Sequence, residues 1–348
     1  MNIPVRSPRI MRSAQKAWFR ATVLAVLAIW ACLVFTAGVF AQEPERIKFA
    51  LTSPPHFLPI WLARDTGLFK KHGVDVEVIY MRGGSLITMG ILNGDLQLSG
   101  AGAESVVAAK VKGGDVIMVA CPLDSDLVYL IAQPGIKDPA ELKGKASGVS
   151  RLGSTTHFYL RTALKKVGLD PEKDLTILQL GSGAEVAVAL EAKRLAAAAL
   201  SYRNALPFLD RNWPVLLDLT KTDFSYPPSC IASSQAYVKS KPRAVEGFLK
   251  GFVEGISQIK KDRVLAQKIY KKYYQERDDT IVDKVVDVYA KLFKRVPYVP
   301  DRGIETVVGE LALRVSVPKE FLGRPEMFRD NGPLQKLAKE GWIDSLYR

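Results

Sequence analysis

The chain has 348 residues and a net charge of +13, and its length favours two hydrophobic cores because single cores stop growing at about 250–300 residues. Five of the positive charges lie in residues 1–20, which leaves +8 for the rest. That charge is scattered and is not interleaved with aromatic residues, so we expect no nucleic-acid partner. The sequence also has no cysteine or histidine cluster with metal-ligand spacing, so we expect no metal and no cofactor.

The N-terminus has the pattern of a secretory signal peptide. Residues 1–20 carry basic and no acidic side chains, residues 21–40 are almost entirely apolar, and small side chains precede a cleavage site after Ala41. A retained membrane anchor is one alternative, since about 20 apolar residues span a bilayer, and a lipoprotein acylated at Cys32 is another. Because the most apolar part, 23–35, is short, we expect cleavage of residues 1–41 and a periplasmic mature protein.

Strand and helix signals alternate along the next 80 residues or so. The predicted strands are 46–51, 74–80, 96–99 and 116–120, and the predicted helices are 58–71, 86–93 and 104–111. This order indicates a mostly parallel sheet covered by helices.

The alternation then restarts and later returns. The predicted elements are strand 127–132, a short capped helix after Asp138, strand 146–149, helix 155–167, strand 175–179, helix 184–193, strand 196–201, strand 230–233, and helices 242–260, 264–274, 281–293, 304–315 and 334–340. We therefore predict an α/β protein with a first lobe (42–126), a second lobe (127–228) and a return to the first lobe with a helical tail (229–348). Two crossings between lobes form a hinge, and the cleft between the lobes closes on a ligand.

The loops that follow the predicted strands are the candidate ligand-binding segments, because sites in open α/β sheets lie at the carboxyl ends of strands. Several of these loops are rich in small and hydroxyl residues and open a helix, whose free N–H groups and dipole favour an anionic group. Ordinary N-capping explains any single one of them. The candidates are His56, Phe57, Gly84, Ser85, Glu104, Ser105, Tyr129, Ser154, Thr155, Thr156, Ser201 and Tyr202.

Alternative roles remain open for some of these residues. Phe57 equally suits a rigid turn in which the ring packs inward, and Glu104 suits either a helix start or a donor group on the ligand. The two cysteines outside the first 41 residues, Cys121 and Cys230, are interpreted as reduced packing residues, with a disulfide as the alternative. Asp124 and Asp126 lack the spacing of an acid–base pair, and no hydrolase, metalloprotease or P-loop motif is present, so we expect no catalytic residue and no enzyme.

The segment from Ile60 to Glu77 resembles the opening of the NMT1/THI5-like transporter-associated receptors for sulfonates, nitrate, taurine and thiamine-pyrimidine precursors. The run from Gly90 to Leu96 and the loop from Gly153 to His157 extend the resemblance, which covers about residues 46–250. Lys193 and Ala197 stand where the family usually has glycine and aspartate, a departure in the second lobe.

The resemblance implies a type II periplasmic-binding fold and a monomeric receptor that delivers a small solute to an ABC permease. It implies ligand contacts at Ser53, His56, Gly84, Ser85, Glu104, Ser154, Thr155 and Ser201. Two alternatives stay open: an enzyme on the same fold, like the cytosolic pyrimidine-precursor synthases with their cysteine-rich iron motif, and a sensor module for a signalling partner.

Overall fold

The computed structural model describes residues 43–52 and 55–348. The predicted signal peptide and Ser53 therefore lie outside the described residues. From Pro44 onward the chain forms one compact unit, in which helices flank two five-stranded sheets. The predicted α/β class is confirmed.

Each sheet takes most of its strands from one stretch of the chain. The first sheet contains β1 (Glu45–Leu51), β2 (Val74–Tyr80), β3 (Leu98–Ala101), β4 (Ile117–Ala120) and β10 (Cys230–Ser233). The second sheet contains β5 (Val128–Ala132), β6 (Lys145–Val149), β7 (Leu175–Gln179), β8 (Ala197–Ser201) and β9 (Val215–Asp218). Their orders are β2-β1-β3-β10-β4 and β7-β6-β8-β5-β9. The chain thus crosses from the first sheet to the second and back.

The sheets are mixed, and the expectation of a mostly parallel arrangement is only partly right. β1 pairs in parallel with β2 and β3, and β6 pairs in parallel with β7 and β8. In contrast, β10 runs antiparallel to β3 and β4, and β5 runs antiparallel to β8 and β9. β5 and β10 are the first strands after each crossover, so each enters its sheet from the other one rather than through a βαβ connection.

The helices cover both sheets and make up the tail. Among the described residues they are α1 (Leu58–Asp65), α2 (Leu68–Lys71), α3 (Gly84–Leu92), α4 (Ala103–Val111), α5 (Thr155–Lys166), α6 (Gly183–Glu191), α7 (Tyr202–Asp210), α8 (Gln235–Ser240), α9 (Pro242–Lys261), α10 (Arg263–Tyr274), α11 (Asp279–Leu292), α12 (Asp301–Ala312), α13 (Gly332–Lys339) and α14 (Trp342–Ser345). The predicted helix 58–71 is two helices, because the chain turns at Gly67 with a φ of 74°, which glycine adopts readily. Two elements, α7 and β9, were not predicted from the sequence.

The long helix α9 packs closely on α1 and α2 through three glycines spaced four residues apart. A Cβ at Gly247 would collide with the carbonyl oxygen of His72, one at Gly251 with the ring of Phe69, and one at Gly255 with a carbonyl oxygen of α1. Glycines at this spacing lie on one face of a helix, so the tail approaches the first sheet's helices at backbone distance.

Cys121 and Cys230 form a disulfide with a Cα–Cα distance of 4.2 Å. The expectation of reduced thiols is therefore wrong. β10 lies beside β4 in the sheet, with Ile231 opposite Ala120, so the residue after β4 and the first residue of β10 meet. The bond joins the two crossovers at the first sheet and encloses the whole second sheet in one covalent loop.

We expect the Cys121→Ala/Cys230→Ala variant to lose a large part of the free energy of unfolding. Closing a loop of about 100 residues removes chain entropy worth about 4.7 kcal/mol, and the measured cost of losing a native disulfide is about 2–5 kcal/mol. Urea unfolding followed by circular dichroism measures the loss. Dithiothreitol should lower the urea midpoint of the wild type and leave that of the variant unchanged; a wild type insensitive to the reductant contradicts the disulfide.

Candidate functional site

A cavity of about 120 Å³ lies where loops from both sheets meet. This volume is enough for several water molecules or a small solute. Its wall contains residues that follow β1, β2 and β3 of the first sheet and β6, β7 and β8 of the second. It also contains residues of both crossovers, so a bound molecule would contact both sheets.

Five helices begin at the wall of this cavity. The N-cap residues of α3 to α7 all line it: Gly83, Gly102, Ser154, Ser182 and Ser201. Only Ser182 uses its side chain to cap its own helix, by accepting from Glu185 N. The other four helices have no side-chain cap. Their N-terminal N–H groups and dipoles give the cavity a positive electrostatic potential.

Gly102 lies at a close approach between α4 and α5 at this wall. A Cβ at this position would collide with the hydroxyl oxygens of Thr155 and Tyr226 and with a carboxyl oxygen of Glu104. A residue without a side chain is therefore required where α4 meets α5.

The buried carboxylate of Asp126, on the first crossover, binds groups from distant parts of the chain. It accepts hydrogen bonds from Tyr159 Oη in α5 (3.0 Å), Tyr289 Oη in α11 (2.9 Å) and the backbone N–H of Leu127 (2.9 Å). Burial, followed by the negative charge of Asp126, raises the pKa of both tyrosines well above 10. The two hydroxyls therefore stay protonated and donate to the carboxylate.

His56 extends this cluster to the second crossover. Its Nδ1 lies 2.7 Å from Ser229 Oγ, and its Nε2 lies 3.1 Å from Asp126 Oδ2. The second contact is within ion-pair distance but is not aligned as a hydrogen bond. A Ser–His–Asp order occurs in hydrolases, but there the aspartate must hold the histidine ring by an aligned hydrogen bond. Through these two contacts His56 links Asp126 of the first crossover to Ser229 of the second.

Glu104 lies behind the cavity wall, at the first turn of α4. Its side chain is 6% exposed, Oε1 lies 3.5 Å from the hydroxyl of Thr155, and Oε2 is buried without a hydrogen-bond partner. Tyr226 Oη donates to Thr155 Oγ1 at 3.1 Å. Burial raises the pKa of Glu104 to about 8, against smaller opposing effects of hydrogen bonds and of Arg314. The carboxyl is therefore mostly protonated at pH 7.

The structure brings seven of the candidate residues to the cavity and leaves five outside its wall. Those that line it are His56, Phe57, Gly84, Ser154, Thr155, Thr156 and Ser201. Those that do not are Ser85, Glu104, Ser105, Tyr129 and Tyr202. The departures from the family pattern, Lys193 and Ala197, are not in the wall either, because they lie before and at the start of β8, whereas the cavity is at its carboxyl end.

Three of the candidate residues outside the wall, Ser105, Tyr129 and Tyr202, make contacts elsewhere. Ser105 accepts from Thr88 Oγ1 at 2.9 Å and donates to Gly102 O at 3.0 Å, which packs α4 against α3. Tyr129 faces a separate groove beside β9, and Tyr202 packs against the core of the first sheet and the tail. Phe57 serves both interpretations, since it is 1% exposed within that core and also contributes to the cavity wall.

Several cavity residues were not among the sequence candidates. They are chiefly Asp126, Ser150, Tyr159, Ser182, Gly183, Arg203, Asn204 and Ser229. Ser182 and Gly183 follow a predicted strand and open a predicted helix, so the rule used for the other loops would have found them. Arg203 and Asn204 required knowledge of α7, which the sequence analysis did not predict.

The chain belongs to the family described as NMT1/THI5 like, whose family model matches residues 54–263, more than half of the chain. The relative named "Putative binding protein YtlA", from Bacillus subtilis, is 23% identical over 292 residues, covering 82% of this chain and 86% of that protein. The pyrimidine phosphate synthase THI11 of Saccharomyces cerevisiae is 30% identical over only 145 residues, covering 40% of this chain and 42% of the synthase.

Among solved structures, the chain is similar to the alkanesulfonate-binding protein SsuA of Xanthomonas axonopodis pv. citri bound to MOPS. The TM-score is 0.66 at 19% identity, with 82% of this chain and 98% of that chain covered. This likeness confirms the predicted periplasmic-binding-protein fold. Within residues 43–52 and 55–348, no helix is long and apolar enough to cross a membrane, and no group of three metal-ligating side chains is found.

We expect Asp126→Asn to lower the free energy of unfolding by about 1–3 kcal/mol, because an amide nitrogen leaves one buried tyrosine hydroxyl without an acceptor. The matched control is Asp124→Asn, two residues away, where a half-exposed carboxylate pairs with Lys294 and the expected loss is about 0–1 kcal/mol. Chemical denaturation of both variants makes the comparison. Equal losses would contradict a central role for Asp126.

Because the pKa of Glu104 is raised, we expect the free energy of unfolding of the wild type to depend on pH through this residue. An ordinary glutamate has a pKa of 4.5 in the unfolded chain, whereas that of Glu104 is about 8 when folded. Between these values the folded state holds a proton that the unfolded state releases, so the free energy of unfolding falls as pH rises. Glu104→Gln removes this dependence.

The free energy of unfolding of Glu104→Gln, relative to that of the wild type, should therefore rise from about pH 4.5 to pH 8 by on the order of 1 kcal/mol per pH unit. Above about pH 8 the difference should stay constant. Urea unfolding at a series of pH values measures this, with exposed Glu305→Gln as the control. A difference that does not change with pH would show that Glu104 titrates normally.

Proposed function

We propose that this chain is an extracytoplasmic receptor that captures a small anionic organic solute and delivers it to an ABC importer. The observation that carries the proposal is the convergence of five helix N-termini on one cavity, four of them without a side-chain cap. Unpaired N–H groups and helix dipoles stabilise carboxylate, sulfonate or phosphate groups. Ser154, Thr155 and Thr156 of the proposed second lobe also line this wall.

The proposed lobes are residues 42–126 with 229–348, and residues 127–228. The solute would bind between them and favour a closed arrangement through its contacts with both, by rotation about the crossovers near Asp126 and Ser229. Supporting this, Arg82 of the first sheet's loops pairs with Glu185 of α6 at 3.0 Å. Arg151 also lies over Gly83 and donates to Arg82 O. Both contacts join the lobes at the cavity's edge.

The names of similar proteins support the same ligand class. SsuA of Xanthomonas is called alkanesulfonate-binding, and its bound MOPS is a sulfonate. Delivery to a permease, a monomeric state and export by a cleaved signal peptide are parts of the proposal that rest on the family. A sensor that binds the same solute remains the alternative for the partner.

The enzymatic alternative has weaker support. The match to the yeast synthase covers less than half of either chain. Cys121 and Cys230, the chain's two cysteines after residue 41, are bonded to each other. They are thus not free for the cysteine-rich motif expected of that enzyme class.

The test is a thermal-shift screen at constant ionic strength. The anions are methanesulfonate, nitrate, acetate and phosphate; dimethyl sulfone and glucose are the neutral compounds, and putrescine is the cation. We expect at least one anion to raise the melting temperature, since a ligand at 100 times its Kd stabilises by about 2.7 kcal/mol. Shifts with only the cation or the neutral compounds would overturn the proposal.

A further inference from the structure

One positively charged side chain of the cavity wall, Arg203, has no close carboxylate partner among the described residues. The charged side chains in its wall, apart from His56, are Arg82, Asp126 and Arg203. Asp126 accepts from two tyrosines and a backbone N–H, and Arg82 pairs with Glu185 at 3.0 Å. In the described part of the chain, the ion pair of Arg203 is a long one, 3.9 Å to Glu276.

The side chain of Arg203 is held by the helical tail. Its Nε donates to Tyr270 Oη at 2.8 Å, and its guanidinium lies 5.7 Å from the ring centre of Tyr274. Both tyrosines are in α10. That helix is anchored on α1, where the ring of Tyr273 stacks on Trp61 at 4.1 Å. Arg203 belongs to α7 beside the second sheet, so this contact spans from the second lobe to the tail.

Tyr270 orients the guanidinium without cancelling its charge. The ring is fully buried, and burial raises the pKa of Tyr270 to about 12. A neutral hydroxyl accepts one N–H, and a guanidinium has five donors in a fixed planar fork. The bond to Tyr270 therefore leaves four of the guanidinium donors for other partners. Arg203 lines the cavity, and its side chain is 19% exposed. A planar fork of this kind binds carboxylate, sulfonate or phosphate oxygens in pairs.

We propose that Arg203 is the residue that recognises the anionic group of the solute, and that Tyr270 is the positioning residue through which the helical tail orients it. This rests on the proposed receptor function and deepens it. The helix N-termini attract an anion through their dipoles, whereas the guanidinium of Arg203 would bind it through hydrogen bonds of fixed geometry. The tail thereby takes part in ligand selection although its residues are distant in sequence from the loops of the cavity.

The first test compares two variants that each remove one positive charge at α7. Arg203→Gln removes the cation in the cavity wall, and Arg211→Gln removes an exposed one at the other end of the same helix, outside the wall. We expect the affinity for methanesulfonate, nitrate, acetate or phosphate, whichever binds the wild type, to fall about 10- to 100-fold in Arg203→Gln. The affinity should change less than twofold in Arg211→Gln. The affinity of Arg203→Lys should lie between those of the wild type and Arg203→Gln.

The second test isolates the positioning role by a double-mutant cycle, measured by calorimetric titration with the same anion. Tyr270→Phe should weaken binding by about 2- to 12-fold, whereas Tyr273→Phe, on the same helix, should have no effect. In an Arg203→Gln background, Tyr270→Phe should cause no further loss, because the hydroxyl acts through the arginine. An equal loss in both backgrounds would mean that Tyr270 is merely structural, and would overturn its assignment.

The outcomes separate this inference from the proposed function. If none of the four anions binds the wild type, the anion receptor is wrong and the role of Arg203 falls with it. If an anion binds the wild type and binds Arg203→Gln equally well, the receptor stands and the assignment of Arg203 alone is wrong. Arg203→Lys guards against misfolding, since intermediate binding there with an unchanged melting temperature shows that the loss in Arg203→Gln is not a folding defect.

Discussion

The arrangement of the chain depends on the hydrogen bonds that the buried carboxylate of Asp126 accepts. A buried charge costs several kcal/mol unless hydrogen bonds compensate it. Asp126 obtains them from α5, from α11 and from its own crossover. His56 adds a link to Ser229 on the second crossover. The two crossovers, α5 and α11 are therefore joined at one point beside the cavity, and the disulfide joins the same crossovers at the first sheet.

The cavity follows from this arrangement. With the crossovers fixed side by side, the carboxyl ends of strands from both sheets point into one space, and each helix that follows them begins there. Four of those helices have no side-chain cap, so their N-terminal dipoles favour an anion in this space.

Local patterns predicted what depends on neighbouring residues. The alternation in 74–80 gives β2 at the same bounds, and Asp138 with Glu141 forms the predicted capping box. Contacts between distant residues were not predictable in this way. The cysteines are 109 residues apart, and they pair only because β10 inserts beside β4. Asp126 meets a tyrosine 163 residues later. Tyr202 was the predicted contact, whereas Arg203 lines the cavity, because the direction of each side chain depends on α7, which the local pattern does not show.

A crystal structure of the protein with a bound anion from the screen tests the central claim most directly. The claim is that one solute bridges the two lobes beside Asp126. The predicted result is anion density in the cavity, contacting the N-termini of α3 and α5 and the guanidinium of Arg203. Density at a site that contacts only one sheet, or lies outside this cavity, would contradict the account.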